Sequence, residues 1–202
     1  APPPRRPARP MPPTSPPPPP PPPPAEIVVT ASRRATALGD YPGTAIIIGK
    51  GELERSGSVQ RSDAIVARAA GLGSTHFGSG RDKLFIRGII DSGFGGTGQA
   101  TTAQYVDGAR VNYNGPDPDL RLYDIERVEI LSGPQATLYG AGALGGVVHI
   151  LSRRPDPGIS EGHVAVGLAA TRHGAVGGDA AATINAPLLK DRIAMRLVGF
   201  FE

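Results

Sequence analysis

A run of prolines at the amino-terminal end limits what that part of the chain can fold into. Sixteen of the 23 prolines lie within residues 1–24, and they are continuous from Pro16 to Pro24. Proline locks φ and lacks an amide hydrogen, so this segment can form neither helix nor sheet. We expect residues 1–25 to be a disordered linker of polyproline II character, reaching on the order of 70 Å at ~3.1 Å per residue. An alternative is a ligand for an aromatic groove of SH3 type.

Charge and composition exclude several functional classes. The net charge of +3 comes from Arg5, Arg6 and Arg9 in the linker, and the other 18 basic residues are balanced by 18 acidic ones. A basic face for nucleic acid is therefore not expected. The chain has no Cys, its four His lack metal-ligand spacing, and no Ser has a G-x-S-x-G setting. We predict no enzyme active site, no metal site and no cofactor.

The segment "EIVVTA", Glu26 to Ala31, follows the proline linker directly. Its β-branched residues favour an extended strand. Such a short strand either joins a sheet of its own domain or remains unpaired until a partner captures it by β-augmentation. The residues alone leave both arrangements open, and a stiff linker before the strand would suit the second by presenting it at a distance.

Residues 32–157 combine helical and strand patterns and predict an α+β domain with a small mixed sheet and short helices. Asp107 and Gly108 lie between two strand-like runs, and an Asp-Gly pair in that position is typical of a type I′ hairpin turn. The remaining predicted elements are a strand at Thr44 to Lys50, a helix from an N-cap at Ser58 to a stop at Gly71, a strand at Asp82 to Ile89, and a strand at Ile125 to Leu131.

From Glu161 onward the residues alternate between apolar and small or polar types. Three segments of about 9–10 residues show this period of two, "HVAVGLAAT", "DAAATINA" and "RIAMRLVGF". The pattern alone is compatible with transmembrane β-strands and with a soluble β-meander. The last segment has no turn or stop after it, so we expect the natural protein to continue.

The stretch "YGAGALGGVVHI" contains Gly140, Gly142 and Gly145 in the spacing G-x-G-x-x-G. A dinucleotide site needs a helix after these glycines and an acidic residue roughly 20 positions further on. Here the glycines lead into the strand-like "VVHIL". We therefore predict that they supply positive φ angles and close backbone approach rather than a nucleotide site.

Three motifs together resemble the plug domain of TonB-dependent outer-membrane receptors. They are "IRG" at Ile86 to Gly88, "VDG" at Val106 to Gly108, and "DIERVEILSGPQATLYGAGALGGVVHILSRRP" at Asp124 to Pro155. The resemblance covers roughly residues 26–157. It implies a plug at 32–157, a TonB box at 26–31 that is left unpaired for capture by another sheet, and the first antiparallel strands of a transmembrane β-barrel at 158–202.

The resemblance also implies roles for particular residues. The proposed TonB-binding residues are Glu26, Ile27, Val28, Val29, Thr30 and Ala31. The plug motif and plug–barrel contact residues are Arg87, Gly88, Asp107, Gly108, Glu129, Gly133, Pro134, Tyr139, Gly140 and Gly146. Phe94, Gln99 and Tyr139 are candidates for a ligand-facing apex formed with the loop at 92–99. Ser132 stands where the family usually has a basic residue, which leaves only Arg87 for a lock between plug and barrel.

The function implied is energised uptake of a scarce nutrient, such as an iron–siderophore complex, through the outer membrane of a Gram-negative cell. The plug would lie inside the barrel, the linker would extend into the periplasm, and TonB, outer-membrane lipid and a small ligand such as a metal chelate would be the partners. An alternative from another class is a soluble periplasmic binding or scaffold module with a proline-rich docking arm.

Overall fold

The chain folds into a mixed sheet with short helices, followed by a separate antiparallel sheet. A computed structural model describes residues 28–32, 36–55, 61–78, 80–92, 98–170 and 176–202. The predicted fold class is confirmed, while the linker, Glu26, Ile27, Ser58 and Phe94 lie outside the described residues. In chain order the elements are β1 (Val28–Val29), β2 (Thr36–Ala37), a 3₁₀ turn (Leu38–Asp40), β3 (Thr44–Gly49), α1 (Lys50–Glu54), α2 (Ser62–Val66), β4 (Leu72–Ser74), β5 (Leu84–Ile86), β6 (Thr102–Val106), β7 (Ala109–Arg110), β8 (Ile125–Ser132), α3 (Ala136–Tyr139), β9 (Gly146–Ser152), β10 (Glu161–Ala170), β11 (Val176–Leu189) and β12 (Ile193–Phe201).

The largest sheet, which we call the plug sheet after the domain predicted at 32–157, has five strands in the order β3-β8-β9-β6-β7, and only β6 and β9 run parallel. Side chains alternate between its two faces because successive strand residues point in opposite directions. Ile48, Val128, Ile130 and Val148 share one face, which we call the helix face because Leu53 of α1 packs there. The opposite face, here called the box face, carries the alternate side chains of these strands, among them Ile47, Glu129 and Val147. Both faces are buried, which explains the apolar composition of these strands.

The predicted Asp-Gly hairpin joins β6 and β7. Asp107 has φ +48° and Gly108 has φ +90°, as a type I′ turn requires at both central positions. The Asp107 carboxylate also accepts hydrogen bonds from the amide and the hydroxyl of Ser152, at 2.8 and 2.6 Å. The turn therefore holds the end of β9 at the point where the chain leaves the plug.

Two predicted elements are shorter in the structure. The strand expected at Asp82 to Ile89 extends only over β5, because Arg87 and Gly88 take φ angles of +53° and +76° and turn the chain. The helix expected to reach Gly71 ends at Val66 and is followed by hydrogen-bonded turns. Gly71 itself has φ +84°, in agreement with its predicted role as a stop.

The loop around Asp117 is tied to the plug by buried polar groups. The Asp117 carboxylate accepts hydrogen bonds from the Leu84 amide at 2.6 Å and from the Asn112 side chain at 2.8 Å. Asn112 in turn accepts from the Gln104 amide. Burial raises the pKa of Asp117 above its ordinary value, although these hydrogen bonds oppose the change. Asp117 is thus an internal anchor for the turn at residues 116–119.

The raised pKa of Asp117 predicts a pH-dependent effect of Asp117→Asn. An acid whose pKa is higher in the folded protein favours folding most below its unfolded pKa, and that contribution is lost as pH rises through the folded pKa. We therefore expect the variant to gain stability relative to the native protein as pH increases from about 4. Urea unfolding of the full-length protein, followed by a fluorophore on a cysteine at exposed Phe77, measures this difference. A difference that does not change with pH would contradict the prediction.

The second sheet contains β10, β11 and β12 in antiparallel order. All three predicted strands are present, but β11 is longer than expected, because its pairing with β10 continues to Ala170 opposite Val176. Alternate residues of the sheet form an exposed apolar face, whose largest members are Val164, Val166, Leu168, Ile184, Leu197 and Phe201. The other face contains buried Asp179, Ala181 and Asn185.

Candidate functional site

The segment predicted as a TonB box is paired within its own chain. Val28 lies opposite Ala37 and Val29 lies opposite Thr36 in an antiparallel pair. The prediction that this strand is unpaired is therefore wrong for this state. The two paired segments are separated by only a few residues in the sequence, so Thr36 and Ala37 are the nearest strand available to Val28 and Val29. A partner that adds to the strand must first displace it from this arrangement.

Apolar contacts hold the same segment on the box face of the plug. Val29 and Ala31 are both fully buried, and they form a cluster with Leu131. Tyr41 and Ile47 pack against the edge of this cluster. Burying one Val side chain is worth about 1.5–3 kcal/mol, so these contacts favour the docked strand substantially.

A buried carboxylate lies directly beneath the docked segment. Glu129 of β8 is fully buried, and its Oε2 accepts hydrogen bonds from the amides of Thr30 and Ala31, at 2.8 and 2.5 Å. Its Oε1 accepts from the Thr30 hydroxyl at 2.9 Å. Arg127, two residues earlier on β8, donates to the same Oε1 from Nε at 2.8 Å. The charge of Glu129 is therefore satisfied jointly by Arg127 and by the docked segment.

Tyr139 provides a further contact to the segment. Its hydroxyl donates to the Ala31 carbonyl, and its ring packs edge-on against Tyr105 with centroids 4.8 Å apart. Tyr139 is 7% exposed, so the prediction that it belongs to a ligand-facing apex is wrong. It sits on the short helix α3, whose position after Gly133 directs the side chain into the core beside the box face.

Ion pairs join the plug to the second sheet. Arg196 of β12 donates to both oxygens of Asp124, at 2.5 Å from Nε and 2.7 Å from Nη2, and both side chains are nearly buried. Arg196 also pairs with Glu161 at 3.0 Å, and Arg153 reaches the same carboxylate. Removing one partner of such a buried pair strongly destabilises a protein, because the other charge is left buried and unpaired.

A second ion-pair cluster lies beside the first. Glu202 pairs with Arg121 at 2.7 Å and with Arg61 at 2.9 Å, and Asp119 pairs with Arg121 at 2.7 Å. Sequence reasoning did not find either cluster. Their residues are separated by up to 141 positions, and no local pattern shows which charges will meet.

Arg87, a predicted plug–barrel contact residue, forms hydrogen bonds within the plug in this structure. Its guanidinium donates to the Thr44 hydroxyl at 3.1 Å, and its amide donates to the Gly71 carbonyl at 2.6 Å. Its role in locking the plug to a barrel stays a prediction.

The glycine-rich stretch shapes the turn between β8 and β9. Gly133 donates its amide to the Gly145 carbonyl at 2.9 Å, beside Pro134, and Gly140 has φ +73°. Gly146 has φ +145°, and a side chain there would overlap the Leu131 carbonyl. The glycines lead into strand β9 and not into a helix, which agrees with the rejection of a dinucleotide site.

The predicted ligand-facing loop is described only in part. Phe94 lies outside the described residues, and Gln99 is exposed and forms an isolated bridge with Asn114. Tyr113, beside that bridge, is 64% exposed and lies under the Arg110 guanidinium.

The described ranges contain neither a metal-binding cluster nor a membrane-spanning helix. No group of three or more His, Cys, Asp or Glu side chains there could hold a metal ion. No helix in the same ranges is both long and apolar enough to cross a membrane.

Comparison with known proteins identifies the family. The model of the TonB-dependent receptor plug domain matches residues 37–147, more than half of the chain. The chain therefore belongs to the TonB-dependent receptor family and contains its plug domain.

Solved structures show the same fold. The ferric yersiniabactin uptake receptor of Yersinia pestis is 22% identical with a TM-score of 0.61, and the match covers 78% of this chain and 24% of that one. The ferripyoverdine receptor of Pseudomonas aeruginosa is 16% identical with a TM-score of 0.66, covering 86% and 22%. The alcaligin outer-membrane receptor of Bordetella pertussis is 21% identical with a TM-score of 0.64, covering 85% and 28%. The chain thus spans about a quarter of the length of these receptors.

Proposed function

We propose that this chain is the amino-terminal part of an outer-membrane receptor that takes up a scarce nutrient, such as an iron–siderophore complex, using force supplied by TonB. Residues 1–25 act as the linker, 26–31 as the TonB box, 32–157 as the plug and 158–202 as the first barrel strands. In this proposal the chain is a transporter component rather than an enzyme. The nutrient class is suggested by the siderophore receptors among the structural neighbours.

The observation that carries the proposal is the short β-strand Val28–Val29, which follows the proline-rich segment in the sequence and is docked on the plug. A strand of two to six residues with β-branched side chains suits capture by the edge of another sheet. Its continuity with the plug through Ser32 gives a pull on the strand a direct route to β3 and the box face. Pulling would then remodel the plug and open a path for the ligand.

The second sheet supports a place in the outer membrane. Its exposed apolar face is formed by alternate residues over three adjacent strands, as expected where strands contact lipid. A soluble module would have to leave this face in water, where large apolar patches favour association. The linker would then lie on the periplasmic side and the plug inside the barrel.

The outer end of the plug would face the nutrient. Phe94 and Gln99 remain our candidates for contact with it, together with the rest of the loop at 92–99. A metal chelate presents both polar and aromatic groups to such a loop, and growth of a deletion strain on a panel of nutrients would identify the one that is transported.

Replacing Val28 with proline is expected to prevent TonB binding. Proline removes the Val28 amide and disfavours strand pairing, so the partner loses its ladder with the box. We expect the Kd for the purified periplasmic domain of TonB to rise by at least about tenfold, equivalent to losing one or two hydrogen bonds. Calorimetry with the full-length receptor measures it. Val28→Ile is the matched control, because it keeps the amide and the β-branched shape; equal binding by the proline variant would reject the box assignment.

A further inference from the structure

Glu129 is the buried carboxylate on which the docked strand rests. Three of its hydrogen bonds come from residues 30 and 31, namely the amides of Thr30 and Ala31 and the hydroxyl of Thr30. Hydrogen bonds to a charged acceptor are about twice as strong as neutral ones, and here they lie in a region without solvent. The strand is therefore held at this point by more than apolar contact.

The same groups are needed by any sheet that captures the strand. β-Augmentation uses backbone amides and carbonyls along the added strand. The amides of Thr30 and Ala31 already donate to Glu129, and the Ala31 carbonyl already accepts from Tyr139. Binding to the plug and binding to a partner's strand therefore exclude each other at these two residues.

We propose that Glu129 is the latch that keeps the box docked, and that TonB competes with Glu129 for the amides of Thr30 and Ala31. The inference rests on the proposed function for the identity of the competitor, but the latch itself is a property of this chain. Glu129 is a positioning residue: it acts through the box and sets how often the box is available. Tyr139 is the second point of the latch.

Arg127 makes the latch reversible. Its Nε donates to Glu129 Oε1 at 2.8 Å, and its side chain remains on β8 when the strand departs. A buried carboxylate left without any partner would be strongly unfavourable, so an open latch needs this pair. Arg127 also donates from Nη2 to the Thr30 hydroxyl at 3.3 Å, so the same guanidinium contacts both Glu129 and the docked segment.

Glu129→Gln is expected to increase release of the strand in the full-length receptor. Glutamine has nearly the same shape, but it removes the charge and presents an N–H group to donors that need an acceptor. The reporter is a cysteine replacing Val29, which is fully buried when docked; the 202 residues contain no native Cys, and any elsewhere would be replaced. We expect a polar maleimide to label this cysteine about tenfold to a hundredfold faster in the Gln variant, as for loss of one charge-assisted hydrogen bond.

Two controls separate release of the strand from general loosening of the plug. Glu54→Gln makes the same chemical change at an exposed carboxylate on α1, whose ion-pair partner is Lys50. It should leave labelling at position 29 unchanged. A cysteine replacing buried Ile65 on the helix face should be labelled at the same rate with and without Glu129→Gln.

Tyr139→Phe tests the latch independently, because it removes only the hydroxyl and keeps the ring packed against Tyr105. It should also accelerate labelling at position 29. Unchanged labelling in both Glu129→Gln and Tyr139→Phe, or equal acceleration at position 65, would overturn the latch.

The labelling assay requires no TonB, so it distinguishes the two proposals. Faster labelling together with tighter TonB binding supports the latch and the partner. Faster labelling without any TonB binding supports the latch and rejects the proposed partner.

Discussion

Gly146→Ala is expected to lower the free energy of unfolding of the plug by about 4 kcal/mol or more, from backbone strain and overpacking together. Gly146 begins β9 with φ +145°, an angle that residues with a side chain rarely adopt. An added Cβ would overlap the Leu131 carbonyl oxygen and lie 2.7 Å from Ile86 Cδ1. Neither neighbour can move easily, because Leu131 is buried on β8 and Ile86 is buried in the core.

Urea unfolding of the full-length receptor, with a fluorophore on a cysteine at Phe77, measures this effect. Gly49→Ala is the matched control, since Gly49 belongs to the same sheet, has φ −79°, and has no atom within 4 Å of the added Cβ. We expect that variant to stay within about 0.5 kcal/mol of the native protein. Equal stability of the two alanine variants would show that the turn between β8 and β9 can relax.

Asp124→Asn is expected to weaken the attachment of the plug to the second sheet by about 3–5 kcal/mol. The Arg196 guanidinium, 5% exposed, makes two charge-assisted hydrogen bonds to this carboxylate. Asparagine tolerates the φ of +56° at this position, so the substitution changes the charge and not the backbone. The effect comes from leaving the guanidinium without its main counter-charge in a nearly buried place.

A double-mutant cycle with Arg196→Met identifies this pair as the cause. If the interaction is responsible, Asp124→Asn adds little when Arg196 has already been replaced. Urea titrations of the full-length receptor provide the four stabilities. Glu54→Gln serves as the control, because the Lys50–Glu54 pair is exposed and should contribute less than about 1 kcal/mol. Additive effects of Asp124→Asn and Arg196→Met would contradict the prediction.

The largest parts of the fold were predictable because their signals are local. Asp107-Gly108 specifies a hairpin through the φ angles of two neighbouring residues, and both are observed. The strands β3, β8 and β9 follow from runs of β-branched residues, and β10 to β12 follow from alternation. β5 and α2 both end earlier than the sequence predicts. The end of β5 is hard to predict because the turn at Arg87 has no proline or Asp-Gly signal.

The candidate site was predictable only in its parts. "EIVVTA" was recognised as a strand, and Glu129 and Tyr139 were recognised as members of the plug motif. Their meeting was not expected: Glu129 is 99 positions from Thr30, and Tyr139 is 108 positions from Ala31. The short length of the strand and its position after the linker suggest an unpaired strand. They carry no information about the box face, which forms only when β3, β8 and β9 assemble.

Residue order alone is sufficient for the hairpin turn, the alternating strands and the family to which the chain belongs, because each depends on neighbouring residues or on a contiguous motif. The assembled plug decides whether the first strand is docked or available, which carboxylate receives its amides, and which arginine meets Asp124. Those outcomes depend on distant groups brought within 3 Å and removed from water together, where hydrogen bonds and charges acquire most of their strength.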